Sequence, residues 1–295
     1  MLSILIPCYN NNIYTLVECL HQEATNLSIS FEIIVQDDHS TNLFNNKDIT
    51  LLDNCYFLQN AVNLGRAKNR NVLLLQAQYD WVLLLDADTI PSSPQFLSNY
   101  LHYITQEAVI QGGITYNYSN TSKHLLRWKY GNKREAIDIK KRQIDPYTNT
   151  LCSNLFFNRK KVSHLFNTTI SLYGYEDLLF YKEIKKNNHR VIAIDNSVEH
   201  LGLETNKVFL QKTEESCYNL AQLIANNTLL SSDTKLSIYY QKIHHLKLTF
   251  LLSLSCFVLK KRLYKHLLST NATLLGFDIY KLIIYHQATK EIEKK

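Results

Sequence analysis

Short apolar runs alternate with segments of helical period along the first half of the chain. Four of these runs have the length of a strand: SILIP (3–7), FEIIVQ (31–36), CYFLQ (55–59) and VLLL (82–85). Apolar residues from Ile13 to Leu20 recur at spacings of three and four, and residues 66–79 repeat that period, so we predict a helix in each segment. Continuous apolar strands joined by helices are typical of a mostly parallel sheet with helices on both faces, and such sheets bind ligands at the carboxyl ends of their strands.

The second half of the chain shows a different pattern. Residues 110–160 are irregular, residues 176–188 have a helical period, and RVIAID (190–195) has the character of a strand. From about residue 206 the pattern is helical to the end, and the composition shifts near residue 225. We therefore predict an α/β domain over residues 1–225 and a C-terminal helical region over residues 226–295.

One segment of the helical region, LKLTFLLSLSCFVLKKR (246–262), stands out because mostly apolar residues lie between basic flanks. It is shorter than the roughly 20 residues that a membrane-spanning helix needs. Two interpretations stay open. The segment is either a core helix of a small helical extension or an interfacial helix whose Lys260, Lys261 and Arg262 meet anionic lipid.

Composition narrows the classes of function. Hydrophobic residues make up 45% of the 295 residues, enough for a sizeable core, and the formal net charge is +6. No dense block of lysine and arginine is present, so we expect no nucleic-acid partner, whereas a modest positive excess suits a phosphorylated ligand or an anionic membrane surface. The six cysteines lack CxxC spacing and the N-terminus lacks a basic segment, which favours free thiols and a cytoplasmic location.

The run VLLL leads directly into the acidic sequence DADT (86–89). Residues i and i+2 lie on one side of a strand, so the carboxylates of Asp86 and Asp88 can point the same way just past the strand end. A divalent cation would relieve their repulsion, because Mg²⁺ and Mn²⁺ prefer oxygen ligands and share them with substrate phosphates. A DxD motif by itself fits an exposed loop after a strand equally well.

Four further motifs accompany the acidic pair in a fixed order. They are IPCYN (6–10), QDDHS (36–40), NLGRAKNRN (63–71) and GYEDLLF (174–180), with VEH (198–200) after the last predicted strand. Together these motifs resemble those of the family 2 glycosyltransferases, over roughly residues 1–205. The resemblance implies a GT-A fold, which is a Rossmann-like, mostly parallel sheet flanked by helices, and transfer of a sugar from a nucleotide-diphosphate donor with inversion.

The resemblance assigns a donor-binding role to residues of all these motifs. The nucleotide-sugar-binding set is Pro7, Tyr9, Asn10, Asp37, Asp38, Asn63, Gly65, Arg70, Asp86, Ala87 and Glu176. In this set Tyr9 would stack on the base, and Asp37 or Asp38 would accept hydrogen bonds from the base or ribose. Turn acceptor or helix cap is the alternative for Asp37, and a surface charge is the alternative for Arg70. Gly65 would supply a turn at the start of the helix.

The same resemblance assigns the metal ligands and the catalytic base. Asp88 would be the principal ligand of Mn²⁺ or Mg²⁺, and Asp86 would share the ion or hold the ribose. His200 would be the third ligand, although a histidine after a strand also fits a surface or core position. Asp177 would take the proton from the acceptor hydroxyl, since inversion by direct displacement needs a base. Because Glu176 and Asp177 point about 100° apart on a helix, we expect one to serve the site and the other a structural partner.

These expectations define a leading function and two alternatives. The leading function is a metal-dependent inverting glycosyltransferase that moves one sugar, from a UDP-sugar, to a saccharide or lipid-linked acceptor in bacterial surface polysaccharide or lipopolysaccharide biosynthesis. Peripheral contact with the cytoplasmic face of the inner membrane would suit a lipid-linked acceptor. The alternatives are a sugar-nucleotide nucleotidyltransferase, which the glycine-free PCYNNN segment disfavours, and a catalytically silent binding protein. Two departures from the family are His39, where glycine is frequent, and the absence of a Gln-x-x-Arg-Trp segment, which indicates addition of a single sugar.

Overall fold

A computed structural model describes residues 1–42, 44–106, 108–119, 121–147, 151–170 and 172–294. The chain forms two compact units. The first unit comprises residues 1–117, 132–169 and 176–202, and the second comprises residues 118–131, 170–175 and 203–295. The sequence predicted a domain boundary at residue 225, whereas the last division between the compact units lies after Gly202, because the helix over residues 206–225 belongs with the C-terminal helices.

The strands of the first unit confirm the predicted mostly parallel sheet. The strands are β1 (Leu2–Cys8), β2 (Phe31–Asp37), β3 (Cys55–Gln59), β4 (Trp81–Leu85), β5 (Thr89–Pro91), β6 (Ala108–Gln111), β7 (Ile114–Thr115), β8 (Asn154–Asn158), β9 (Arg190–Ala193) and β10 (Val198–His200). Among the described residues, seven of them form one sheet in the order β3-β2-β1-β4-β8-β6-β9. All neighbours in this sheet run parallel except β8, which is antiparallel to both β4 and β6.

Helices cover this sheet, as the alternating pattern predicted. They are α1 (Tyr14–Asn26), α2 (Arg66–Gln76), α3 (Phe96–Leu101), α5 (Ile139–Ile144) and α6 (Glu176–Lys186), with a short 3₁₀ helix at Asn46–Leu51. Helix α4 (Leu126–Arg134) and a 3₁₀ helix at Ser122–His124 lie largely in the second unit. The VLLL run of β4 is fully buried, and its Val82 and Leu84 pack in a core with Phe157 of β8 and Phe180 of α6. The expectation that residues 110–160 are irregular was wrong for β8, which lies inside the sheet.

A small second sheet joins segments that are distant in the sequence. Its strand order is β5-β10-β7, with β10 antiparallel to β5 and parallel to β7. The register places His200 of β10 opposite Thr89 of β5, directly after the acidic motif. The backbone N–H of Leu201 continues the pairing with a 2.8 Å hydrogen bond to the carbonyl of Asp88. This sheet therefore fixes the position of His200 relative to Asp88.

The second unit is helical, as predicted for the C-terminal part of the chain. Its main helices are α7 (Asn206–Ala225), α8 (Lys235–His245), α9 (Thr249–Val258), α10 (Lys260–Leu268) and α11 (Leu274–Glu293). Helices α7, α8 and α11 each begin at a threonine whose side chain accepts a hydrogen bond from a backbone N–H of the first turn, at Thr205, Thr234 and Thr273. Helix α11 packs against the other four.

The apolar segment 246–262 does not form one core helix. Helix α9 ends at Val258 and α10 begins at Lys260, and of the α9 residues, all of them described, only Leu252 is buried. The core-helix interpretation is therefore wrong for α9, whose other apolar side chains are largely exposed. Within the described part of the chain, no helix combines the length and the apolar character needed to cross a membrane.

Candidate active site

The motif residues gather at one edge of the large sheet because β1, β2 and β4 are parallel and end there. Residues 7–10 follow β1, Asp37 and Asp38 close β2, and the acidic motif follows β4. Strand β8 runs the opposite way, so its beginning lies at the same edge, where the N–H of Asp86 donates a 3.2 Å hydrogen bond to the carbonyl of Ser153. Carboxyl ends of parallel strands are where α/β sheets bind ligands.

Asp38 holds the loop that starts helix α2. Its buried carboxylate accepts hydrogen bonds of 2.8 Å from the N–H groups of Leu64 and Gly65 and from the side-chain amide of Asn60. Gly65 has a φ of +82°, a left-handed conformation that costs other residues energy, which confirms the predicted turn at the helix start. The Asn63 side chain also accepts from the Gly65 N–H, at 3.2 Å. Asp38 and Asn63 therefore shape the loop, and a direct contact with the nucleotide stays a prediction.

Asp37 has the turn-acceptor role that the sequence left open. It accepts 3.0 Å hydrogen bonds from the Ser40 N–H and the Gln59 side chain, and it is 2% exposed. Asn10 joins this turn, because its side-chain oxygen accepts 2.9 Å hydrogen bonds from the N–H groups of Thr41 and Asn42. His39 adopts a φ of +61°, which explains why glycine suits this position. The nucleotide contacts expected of Asp37 and Asn10 stay predictions.

Tyr9 is the member of the predicted nucleotide pocket that presents an open surface. Its side chain is 46% exposed, whereas Ala87 between the two acids is buried and Pro7 is half-buried in β1. An exposed aromatic ring at the ligand-binding edge of a sheet is available for stacking on a base. The position of Tyr9 is therefore compatible with its predicted role.

An ionic cluster forms around Arg70, which is fully buried. Its Nη2 lies 2.8 Å from Oδ1 of Asp86, its Nη1 lies 2.5 Å from Oδ1 of Asp177, and its guanidinium stacks over the ring of Phe166 at 5.1 Å. Neither the predicted nucleotide contact nor its surface-charge alternative describes this arrangement. Arg70 instead joins the acidic motif of β4 to the acidic motif of α6.

Arg66 adds a second bridge one helical turn before Arg70. It lies 3.0 Å from Oδ2 of Asp86 and 3.3 Å from Glu176. Asp177 also accepts a 3.0 Å hydrogen bond from the N–H of Cys152, so each of its oxygens is held. Glu176 and Asp177 thus meet the two arginines of α2 together, which differs from the expectation that only one of them would face the site.

The arginines determine the charge state of Asp86. Burial raises the pKa of this carboxyl, but the guanidinium groups of Arg70 and Arg66 outweigh that effect and lower the pKa to about 2. Burial lowers the pKa of Arg70, and the carboxylates of Asp177 and Asp86 raise it by more. Asp86 and Arg70 are therefore both charged at neutral pH, and an arginine engages each oxygen of Asp86.

Asp88 has a different environment, next to His200. Its Oδ2 lies 3.4 Å from Nε2 of His200, whose ring stacks on Tyr116 at 5.2 Å. A Cβ atom at Gly202 would lie 2.2 Å from the same oxygen, so only glycine leaves room for this carboxylate. One carboxylate oxygen and one imidazole nitrogen at this separation fit two positions on a divalent ion that takes its other ligands from phosphate and water.

The described residues contain no group of three or more histidine, cysteine, aspartate or glutamate side chains placed to hold a metal ion. Of the predicted set, Asp88 and His200 lie together, and Asp86 is turned toward the arginines. Asp88 and His200 therefore fit two positions on a divalent ion, and a contribution from Asp86 stays a prediction.

Two other groups of residues have contrasting positions. Gln111, Gly113, Ser153 and Asn154 line one small recess together with Leu151. Tyr130 packs against Phe209 and Phe277 within the helical unit, so its ring is part of the packing of that unit.

The comparison with known families decides the class of this protein. The model of glycosyl transferase family 2 matches residues 3–166, more than half of the chain. The chain belongs to glycosyl transferase family 2. This family 2 glycosyltransferase is thereby confirmed as an enzyme of the predicted class, one that uses a nucleotide-sugar. No curated protein sequence matches the chain.

Solved structures confirm the GT-A fold of this family 2 glycosyltransferase. S. aureus TarS 1–349 in complex with UDP superposes with a TM-score of 0.52 and 17% identity, covering 99% of this chain and 91% of that chain. The mannosyltransferase PcManGT from Pyrobaculum calidifontis, in complex with GDP-Man and Mn²⁺, gives 0.51 and 15% identity, covering 98% and 86%. At these identities the likeness establishes the fold alone.

Sequence reasoning missed three contributors to the site. Arg66 lies four residues before Arg70 in the same motif, so helical spacing could have placed both on one face. Cys152 contributes only its backbone N–H, and Gly202 contributes only the absence of a side chain, so neither leaves a chemical signal in the sequence.

Proposed function

We propose that this glycosyltransferase moves one sugar from a UDP-sugar to a hydroxyl of a saccharide or lipid-linked acceptor, with inversion and with the help of a divalent metal ion. The observation that carries the proposal is the meeting of two separate acidic groups at one sheet edge. Asp88 lies beside His200, where we place the metal ion and the diphosphate. Asp177 lies in the arginine cluster, in the first turn of α6, where we place the catalytic base.

The chemistry assigned to the chain's own residues is a direct displacement. Asp177 takes the proton of the acceptor hydroxyl while that oxygen forms its bond to the anomeric carbon. The bond from this carbon to the diphosphate breaks on the opposite face, and the electron pair leaves with the diphosphate. Arg70 and the N–H of Cys152 orient the carboxylate of Asp177, and each oxygen keeps a second acceptor position for the proton.

Asp88 and His200 are the residues that would hold Mn²⁺ or Mg²⁺. When bound, such an ion neutralises the negative charge that builds on the leaving diphosphate. The solved structures of PcManGT with Mn²⁺ and of TarS with UDP support this choice of metal and nucleotide by analogy of fold. Asp86 takes the role of a fixed anion that positions Arg66 and Arg70, with a contact to the ribose within reach of its partly exposed side chain.

The proposed setting is bacterial surface polysaccharide or lipopolysaccharide assembly, at the cytoplasmic face of the inner membrane. The absence of the Gln-x-x-Arg-Trp segment supports addition of a single sugar rather than polymerisation.

A thermal-shift measurement against a panel of nucleotide sugars tests this function. We expect one UDP-sugar to raise the unfolding temperature in Mn²⁺ and the effect to disappear in EDTA, with slow release of the free diphosphate nucleotide. A ligand present at 100 times its Kd stabilises by about 2.7 kcal/mol, which a thermal shift resolves easily. No shift with any nucleotide, with or without metal, would contradict the proposal and favour the silent binding protein.

Replacing Gly202 with alanine tests the pairing of Asp88 and His200. The added Cβ would displace the Asp88 carboxylate. We therefore expect the affinity for Mn²⁺ to fall at least tenfold, while the fold is retained. Titration of Mn²⁺ at saturating donor measures this affinity. Gly276→Ala is the matched control, because its Cβ would meet the Thr273 hydroxyl at 3.0 Å and the His266 ring at 3.3 Å, both in the helical unit. Unchanged metal affinity in the Gly202 variant would show that Asp88 does not bind the ion.

A further inference from the structure

Helix α9 carries a continuous apolar surface that the helical unit leaves exposed. Five side chains lie along one side of the helix: Phe250, Leu251, Leu254, Phe257 and Val258. Phe257 is 88% exposed and Phe250 is 62% exposed, and Leu246 and Leu248 extend the surface before the helix. Contiguous exposed apolar side chains of this size mark a site of interaction. We name these five residues the α9 face.

The opposite side of α9 is fixed against helix α11, so the orientation of the helix is not arbitrary. Leu252 is buried, the Ser253 hydroxyl lies 2.9 Å from Nε2 of His286, and the Cys256 thiol lies 3.9 Å from the carbonyl of Ile283. One side of the helix thus packs against α11, and the other side is exposed. None of these contacts with α11 involves a residue of the α9 face.

The segment of the chain that carries the α9 face has charges of one sign. Residues 234–277 contain seven lysine or arginine residues and none of the chain's 26 aspartate and glutamate residues. Lys242 and Lys247 precede the helix, and Lys261, Arg262 and Lys265 follow it, all with exposed side chains. Tyr239, which is 61% exposed beside Lys242, adds an amphipathic ring of the kind found at the level of lipid headgroups.

We propose that the α9 face inserts into the headgroup region of a membrane that contains anionic lipid. An apolar side with cationic flanks is the pattern of a helix that lies in the interface, since the apolar side chains enter the acyl boundary and the lysines meet lipid phosphates. The helix has ten residues, far fewer than the roughly 20 needed to span, so it lies on the surface. The inference rests on the proposed function only for the reason to be at a membrane, which is a lipid-linked acceptor.

Charge also distinguishes a lipid surface from a second copy of the chain. A two-fold interface through the α9 face would bring the same surface of both copies together, and with it the basic flanks of each. Like charges that face each other across an interface oppose association. Phosphate headgroups supply the complementary charge at both flanks at once.

Vesicle co-sedimentation of the full chain tests the proposal without any donor or acceptor. We expect binding to vesicles of phosphatidylcholine with about one third phosphatidylglycerol, little binding to phosphatidylcholine alone, and weaker binding as salt rises. The variant Phe250→Ser/Phe257→Ser should bind the anionic vesicles at least tenfold more weakly, because it removes the two largest inserting side chains. Lys261→Glu/Arg262→Glu should cause a similar loss.

Matched controls separate this surface from general stickiness. Leu51→Ser/Ile144→Ser removes two apolar side chains that are 85% and 84% exposed in the first unit, and Lys140→Glu/Lys141→Glu reverses two exposed charges there; both should bind as the parent does. Phe257→Ser alone gives a second variant that cannot disturb packing. Equal binding of the parent to neutral and anionic vesicles, no binding, or full binding by the Phe250/Phe257 variant would overturn the proposal.

Two further measurements identify other failures. A dimer in light scattering that the Phe250→Ser/Phe257→Ser variant converts to a monomer would assign the α9 face to a second copy instead, and would overturn the proposal. Donor-dependent thermal stabilisation should be the same in parent and variant. Its presence without vesicle binding would refute the membrane inference alone, and its absence with vesicle binding would refute the proposed function alone.

Discussion

Replacing Asp177 with asparagine is expected to lower kcat for sugar transfer by about three orders of magnitude, the size of a general-base contribution. The amide cannot take the acceptor proton, but its oxygen still accepts one of the two hydrogen bonds that hold this side chain, from Arg70 or from the N–H of Cys152. Donor affinity should therefore change by less than about threefold, which is under 1 kcal/mol. Steady-state transfer rates and donor titration calorimetry measure the two quantities.

Glu176→Gln is the control for this variant, because Glu176 lies next to Asp177 and meets the other arginine of the cluster. Its ion pair with Arg66 at 3.3 Å is lost, but it is not assigned a proton-transfer role. We expect at most about a tenfold change in kcat, since only positioning is affected. Transfer that survives in Asp177→Asn would show that the base is another group, and a matching loss of donor binding would make Asp177 a structural residue.

The parts of the fold that the sequence predicted are those that depend on local pattern. The first three strands lie within one or two residues of their predicted bounds, because each is an apolar run that ends at polar or turn residues. Gly65 was predicted to form a turn, since glycine before a helix has few other reasons to be there. The acidic motif was predicted to lie at the sheet edge because it directly follows the apolar run that forms β4.

What the sequence did not predict depends on contacts between distant segments. Arg70 is buried because Asp86 and Asp177, 16 and 107 residues away, compensate its charge, and a single sequence does not show that pairing. Strand β8 was missed because asparagines bound its short apolar core, and its antiparallel direction breaks the alternation of strand and helix. Asp37 and Asp38 look like ligand-binding acids, although backbone N–H groups already occupy them.

The apolar segment 246–262 illustrates a limit of composition. Its hydrophobicity is consistent with burial and with a lipid-facing surface, and both were open from the sequence. The difference is set by how α9 meets α11, through Leu252, Ser253 and Cys256 rather than through its phenylalanines. One helix face can supply enough packing to fix a helix of ten residues and leave the larger apolar side chains outside.

Replacing Arg70 with methionine is expected to lower the free energy of unfolding by about 3 kcal/mol, the cost of leaving two largely buried carboxylates, each 18% exposed, without their cation. Among the contacts of the described residues, Asp177 would keep the N–H of Cys152 and Asp86 would keep Arg66. In a protein of this size the loss corresponds to a fall in Tm on the order of 10 °C. Thermal unfolding in EDTA measures it. Arg66→Met is the control, since its side chain is 42% exposed and screened by solvent, so we expect less than about 1 kcal/mol.

The pH dependence of these variants identifies the cause of the loss. In the parent, the folded pKa of Asp86 is about 2 against an ordinary value of 3.8, so the carboxylate contributes stability that is present above about pH 4 and is lost as pH falls toward 2. Arg70 is the group that lowers the pKa of Asp86 most, so without it the effect of burial raises this pKa. The charged carboxylate then lowers stability at neutral pH, and protonation of Asp86 removes that loss. The gap between parent and Arg70→Met should therefore be widest near pH 7 and narrow toward pH 4. If the difference in unfolding free energy between parent and variant is constant with pH, the loss comes from poorer packing of methionine against Phe166. The uncompensated carboxylates would then not be its cause.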